Sequence, residues 1–183
     1  MDFSEEIRRV AEEAECLHDL DVVRKTIERL GQEITENLFD ENPLVLSVLN
    51  GGIFFTSELL LHLPFPLELD SIKAGRYQGA TEGGAMQWQI EPTIPVQGRT
   101  ILVLDDILDE GITLAEIHRY LENKGAQRIV SAVLVDKDLG REKPYRADHI
   151  GLVTENRYLF GFGLDYKGYL RNWPGIYACR TVY

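Results

Sequence analysis

The chain has 183 residues, 44% hydrophobic and 27% charged, with a formal net charge of −11, which describes one soluble domain with a sizeable core. The acid excess sets it against general nucleic-acid binding, since a phosphate backbone would be repelled, and any polyanionic ligand would need metal ions and a few placed cations. Two cysteines, Cys16 and Cys179, are too few for a disulfide framework or a zinc site; the start is not signal-like and no run reaches the roughly 20 apolar residues that span a bilayer, so a reduced, cytoplasmic protein with no membrane partner is expected.

Residues 4–15 are predicted as a short helix, with Ser4 as N-cap and Glu5 and Glu6 in the first turn. From about Val22 to Leu38, Val23, Ile27, Leu30, Ile34 and Leu38 recur every three or four residues and make one apolar stripe. His18 between these helices is taken as a surface or turn residue. After Pro43, Leu44 to Leu49 is a short apolar run, expected to be a buried strand. Asn50-Gly51-Gly52 ends it, and Ile53 to Leu61 continues as a helix. The paired glycines suit close approach of a ligand and equally suit a plain tight turn.

Phe65 to Ala74 is the next strand candidate. Residues 75–84 hold four glycines, and Met86 to Ile90 returns as a partner strand, giving a hairpin with a flexible tip. Such a tip is either a surface loop or a lid that brings down Arg76 and Tyr77. Thr100 to Leu104 then has the β-branched and apolar character of a strand buried on both faces. Asp105, Asp106, Ile107, Leu108, Asp109 and Glu110 follow it. Gly111 supplies a turn, and Thr113 stands where a helix begins. The order is strand, acidic loop, glycine turn, helix N-terminus. In open α/β sheets ligands bind outside such strand ends. The helix N-terminus suits phosphate, and the acids suit hydroxyls, a metal ion or proton transfer.

Leu114 to Asn123 is a helix ended by Gly125. Arg128 to Val135 is another buried strand, with Asp136-Lys137-Asp138 at its end. The strand–helix alternation from 44 to 135 predicts a parallel sheet with the ends at 49–52, 105–109 and 136–137 on one edge. His149 to Val153 is a short strand. Tyr158 to Tyr166 and Gly168 to Pro174 are aromatic and glycine-rich, which suits either core packing or stacking on a planar ligand. Asp165 and Arg171 add a possible metal ligand and a possible anion contact.

ILVLDDILDEGIT resembles the signature of the type I phosphoribosyltransferases. VLNGGIFFTSELL is similar to the pyrophosphate loop of the hypoxanthine-guanine members. VLVDK resembles their purine-reading strand end, and RYLFGFGLDYKGYLRNWPGIY their C-terminal segment. The four blocks keep the family's order and span residues 48 to 177.

The resemblance implies an α/β type I phosphoribosyltransferase fold: a mostly parallel twisted sheet flanked by helices, a small hood and a flexible hairpin lid. Residues 1–183 would form a single domain, with a core at about 40–155 and a hood from the N-terminal helices and about 156–183. It also implies a purine salvage enzyme that uses 5-phosphoribosyl 1-pyrophosphate and Mg2+. Asp105 and Asp106 would hold the ribose hydroxyls and magnesium, and Asp109 would exchange a proton with purine N7. Glu110, Gly111, Ile112 and Thr113 would wrap the 5′-phosphate. Leu49, Asn50, Gly51 and Gly52 would present N–H groups to pyrophosphate, often around a non-proline cis peptide in this family, and Arg171 would contact the same group. Lys137 would donate to the 6-oxo group, Tyr158 would stack on the base, and Leu159 would meet it through backbone. Asp165 would bind a second magnesium beside the base, and Arg76 and Tyr77 would lie on the lid. A homodimer or homotetramer would be usual.

Three positions depart from the family pattern. Glu110 replaces a usual Thr or Ser, Asp105 is shorter than the frequent Glu, and Arg76-Tyr77 stands where Ser-Tyr is common. A receiver domain would also carry an acid pair, but would leave Gly111-Ile112-Thr113 and the Asp165 block unexplained. A regulatory protein that binds the donor, or a xanthine-preferring enzyme, are the other readings.

Overall fold

A computed structural model describes residues 3–76 and 86–180. The first half runs α1 (Phe3–Glu13), β1 (Glu15–Asp19), α2 (Leu20–Leu38), β2 (Leu44–Val48), α3 (Gly52–Leu60), β3 (Glu68–Arg76) and β4 (Met86–Ile90). The second half runs β5 (Thr100–Leu108), α4 (Ile112–Asn123), β6 (Arg128–Asp138), β7 (His149–Glu155), β8 (Leu159–Phe160) and β9 (Gly175–Ala178).

Six strands form the larger sheet in the order β4-β3-β2-β5-β6-β7. All neighbours are parallel except β4, which lies antiparallel on the edge. The alternation of side chains along a strand builds a core on each face. Val45, Leu102 and Leu104 meet the α2 stripe of Val23, Ile27, Leu30, Ile34 and Leu38, together with Phe55 and Leu59 of α3. Leu44, Leu46, Ile101 and Val103 meet Leu114, Ile117 and Leu121 of α4. Every residue of β2 is buried, as a strand covered on both faces requires. Each fully buried Leu or Ile contributes about 2 kcal/mol. Asp19 caps α2 by accepting from the Val22 N–H at 2.9 Å.

The connections place the site. From β2 the chain leaves through α3 to β3 on one side, and from β5 it leaves through α4 to β6 on the other. The strand order therefore reverses between β2 and β5, and a crevice opens at their carboxyl ends.

A second, three-stranded sheet has the order β1-β9-β8, antiparallel throughout. α1 covers it through Val10, which packs with Phe160, Tyr166 and Leu170. The Glu6 carboxylate accepts from the Tyr166 hydroxyl at 2.9 Å and the Lys167 ammonium at 2.8 Å.

Several boundaries differ from the sequence expectation. His18 is not in a turn but within β1, opposite Ile176 of β9. Short strands such as ECLHD carry too little alternation to be recognised alone. The acidic stretch is not a loop: β5 continues through Asp105 and Asp106 to Leu108, and β6 continues through Lys137. Pairing with a neighbour extends both strands past their apolar runs, with Asp105 opposite Val133 and Lys137 opposite Thr154.

Asp70 on β3 anchors the segment that leads to β5. It accepts from the Ser71 N–H at 2.7 Å, the Thr93 N–H at 2.7 Å, the Thr93 hydroxyl at 2.9 Å and the Ile94 N–H at 2.9 Å. Partial burial pushes its carboxyl up, but these hydrogen bonds outweigh that and hold it below the usual carboxylate range. The folded state thus binds its proton less readily than the unfolded chain. The stabilisation is fully present above the unfolded value of about 3.9 and is lost as pH falls through the lower folded value. Asp70→Ala is expected to cost about 2 kcal/mol of unfolding free energy at neutral pH, measured in urea, with the difference from wild type shrinking in acid.

Candidate active site

Where β2 ends, the Leu49–Asn50 peptide bond is cis, as the resemblance implies. The Leu49 N–H donates to the Ile72 carbonyl at 2.9 Å, and Gly51 leads directly into α3. Gly51 rests against the carboxylate of Asp106: a Cβ there would lie 1.9 Å from Asp106 Oδ2. Above it sits Gly163, with φ of +102°, and a Cβ on Gly163 would lie 2.2 Å from the Gly51 carbonyl oxygen. Carboxylate, loop and C-terminal segment are thus stacked with no space for a methyl group between layers. At Gly52 a Cβ would lie 2.8 Å from the Leu104 carbonyl oxygen.

Asp105 and Asp106 are 7% and 8% exposed. The Asp106 N–H donates to Asp105 Oδ1 at 2.9 Å. Burial lifts the Asp105 carboxyl well above its usual range, and the neighbouring Asp106 charge lifts it further. Burial raises Asp106 as well, while a hydrogen bond with Asp105 and the positive charge of Arg171 pull it back. Arg171 donates through Nη1 to the Gly163 carbonyl at 2.6 Å and pairs through Nη2 with Asp165 Oδ1 at 2.7 Å. The Gly168 N–H holds the other Asp165 oxygen at 2.7 Å.

Beyond the acid pair, Asp109 and Lys137 meet across the ends of β5 and β6. The Lys137 ammonium, itself buried, donates to Asp109 Oδ2 at 2.9 Å. Gly111 has φ of +78° and precedes α4, whose first N–H groups lie beyond the reach of intrahelical partners. Glu110 turns to Arg141 and accepts at 3.1 Å, so its charge has a partner outside the helix start. Tyr158 is half-exposed, its ring edge-on to Tyr166 at 5.3 Å between centroids, and Leu159 is buried.

These parts surround one cleft of about 500 Å³. Leu49, Asn50, Gly51, Asp105, Asp106, Asp109 to Thr113, Lys137, Tyr158, Leu159, Asp165 and Arg171 all line it. Gly52 does not line it. Arg76 closes β3, and Tyr77 and the rest of the expected lid lie outside the described residues. Ala74, Ile107 and Leu164 line the cleft as well.

Residues 14–167 match the family model for the phosphoribosyl transferase domain. The hypoxanthine-guanine-xanthine phosphoribosyltransferase of Tritrichomonas foetus is 36% identical over 162 residues, covering 87% of this chain and 88% of that one. The hypoxanthine-guanine phosphoribosyltransferase of Lactococcus lactis is 35% identical over 157 residues, covering 85% of each. The chain belongs to the phosphoribosyltransferase family, in its hypoxanthine-guanine branch. A solved hypoxanthine-guanine-xanthine phosphoribosyltransferase superposes with a TM-score of 0.84 at 32% identity, covering 93% of this chain and 99% of that one.

Phosphoribosyltransferases generally depend on a divalent metal ion, and this cleft suits one. Two buried carboxylates side by side need a compensating cation or a shared proton. Among the described residues no cluster of three or more His, Cys, Asp or Glu side chains could hold an ion by itself. An ion at Asp105 and Asp106 would complete its shell from substrate oxygens and water.

The glycine stack gives a sharp comparison. Gly163 and Gly168 share a left-handed backbone, with φ of +102° and +89°, but a Cβ on Gly168 meets nothing within 4 Å. Gly163→Ala is therefore expected to lower unfolding free energy by about 1–3 kcal/mol more than Gly168→Ala, measured by chemical denaturation. Equal losses would show that the contact with Gly51 contributes nothing.

Proposed function

We propose that this chain transfers the 5-phosphoribosyl group of 5-phosphoribosyl 1-pyrophosphate to N9 of hypoxanthine or guanine, giving IMP or GMP and pyrophosphate, with Mg2+ as the cofactor. The pairing of Asp109 with Lys137 at 2.9 Å carries the reading. It sets an acceptor beside a donor at one end of the cleft. A 6-oxopurine offers the complementary edge, with an N7 proton for the carboxylate and a carbonyl for the ammonium. Adenine has an amino group where Lys137 would need an acceptor.

Each part of the cleft then has a chemical task. The purine edge replaces the mutual contact of Asp109 and Lys137, so the buried Lys137 ammonium is not left without a partner. Asp109 exchanges the N7 proton as N9 bonds to the anomeric carbon and pyrophosphate leaves. Asp105 and Asp106 hold the ribose hydroxyls, and their charge favours the cationic sugar that develops as the bond breaks. Magnesium bound at this pair would offset the pyrophosphate charge. The N–H groups from Gly111 to Thr113 cradle the 5′-phosphate, and Glu110 is kept aside by Arg141. Arg171 and the turn from Leu49 to Gly51 receive pyrophosphate, and Tyr158 covers the base. Asp165, paired with Arg171, would release it in part to hold a second ion. A lid at Arg76 and Tyr77, assembly as a homodimer or homotetramer, and a cytoplasmic setting complete the proposal. The free Cys16 and Cys179 support a reducing compartment. No helix among the described residues is long and apolar enough to cross a membrane.

The test is nucleotide formation from each purine with the donor and magnesium. Hypoxanthine and guanine should react, and adenine at least about a hundredfold less well, because it leaves Lys137 facing another donor. Donor binding without turnover on any purine would instead mark a regulatory protein. Asp109→Asn should lower kcat by about 10²–10⁴-fold and leave donor binding largely intact. Unchanged turnover would remove Asp109 from the proton-transfer role.

A further inference from the structure

The connection between β6 and β7 touches the site from behind. Lys143 lies there with its side chain only 10% exposed. Its ammonium donates to the Leu108 carbonyl at 2.7 Å and to Asp136 Oδ1 at 2.5 Å. Those two partners immediately precede Asp109 and Lys137. The Leu108 carbonyl belongs to the same rigid peptide plane as the Asp109 N–H. Asp136 and Lys137 are successive strand residues and point to opposite faces. One cation therefore ties together, from the far face, the two strand ends that carry the acceptor and the donor of the cleft.

The segment is itself held firmly. The Tyr145 hydroxyl donates to Ser131 Oγ at 3.0 Å. Asp148 accepts from the Ser131 N–H at 2.8 Å and from its hydroxyl at 2.9 Å. Ser131 lies in the buried part of β6, so the anchor is the sheet. The same segment presses on the phosphate turn. A Cβ on Gly111 would lie 3.3 Å from Lys143 Cβ and 3.4 Å from both the N and O of Tyr145. Arg141 adds the contact with Glu110.

We propose that Lys143 is a positioning residue that braces the ends of β5 and β6 and so fixes Asp109 relative to Lys137. The proposal rests on the purine-reading role given to that pair. A buried ammonium is costly unless its donors are used. A chain needing only a well-packed turn would place an apolar side chain here. The bridge instead spends two of three donors on groups adjoining the reacting ones, where small displacements weigh most on rate.

Lys143→Met keeps the stem and removes the ammonium. With saturating hypoxanthine and donor, kcat should fall about tenfold to a hundredfold, while the Kd of the donor with magnesium stays within about threefold. Amide hydrogen exchange at 108–113 and 136–138 should accelerate at least about tenfold, and Lys143→Arg should recover part of both losses. Wild-type kcat and wild-type exchange in Lys143→Met would overturn the brace. So would a loss of kcat matched by an equal loss of donor affinity and a lower unfolding midpoint, since that marks general destabilisation. If the unaltered chain makes no nucleotide from any purine, the purine reading fails. The exchange comparison still decides the brace: acceleration supports it, and no change overturns it.

Discussion

Asp106, Gly51 and Gly163 are stacked so closely that neither glycine can carry a side chain, and the site depends on that contact. The carboxylate comes from β5, Gly51 from the turn after β2, and Gly163 from the C-terminal segment. Three distant parts of the chain are brought to one point. Arg171 strengthens the junction by reaching the Gly163 carbonyl and by offsetting the charge on Asp106. The cost is electrostatic: two buried carboxylates with raised proton affinity, offset in part by the Arg171 guanidinium. Such a pair is poorly suited to holding a fold together and well suited to receiving a cation.

The sheet explains why the junction falls where it does. The strand order reverses between β2 and β5, so the turn after β2 and the acids on β5 face each other across an open crevice. β6 supplies Lys137 on the next strand, and the smaller sheet carries Tyr158 and Leu159 over the top. Apolar burial on both faces makes the strand ends rigid, and the rigid ends hold the chemistry. A carboxylate and an ammonium 2.9 Å apart are a useful reader of a purine edge only if neither strand can slide.

Much of this was legible in the sequence. The runs at Leu44–Leu49, Thr100–Leu104 and Arg128–Val135 announced buried parallel strands, and Asn50, Gly51, Asp105, Asp106 and Lys137 beyond them line one cleft. Strand ends were less legible. Asp105, Asp106 and Lys137 lie on strands because their neighbours extend the ladder, and pairing is invisible in a single run of residues. β1 and β9 were missed for the same reason, each being held by the other. Lys143 gave no signal at all. Among the charges of residues 136–148 it resembles a solvated lysine, and its role depends on which carbonyl it reaches. Glu110 stood out as a charge in the wrong place for a phosphate, and it pairs with Arg141 from a segment 31 positions away.

At the centre lies the idea that the buried acid pair becomes a donor site only with a divalent cation. The most direct measurement is calorimetric titration of phosphoribosyl pyrophosphate into the protein, with magnesium and then with a chelator. Binding should weaken at least about tenfold without the cation, because two buried carboxylates would then face a polyphosphate unshielded. Equal affinity in the two conditions would contradict the role given to Asp105 and Asp106.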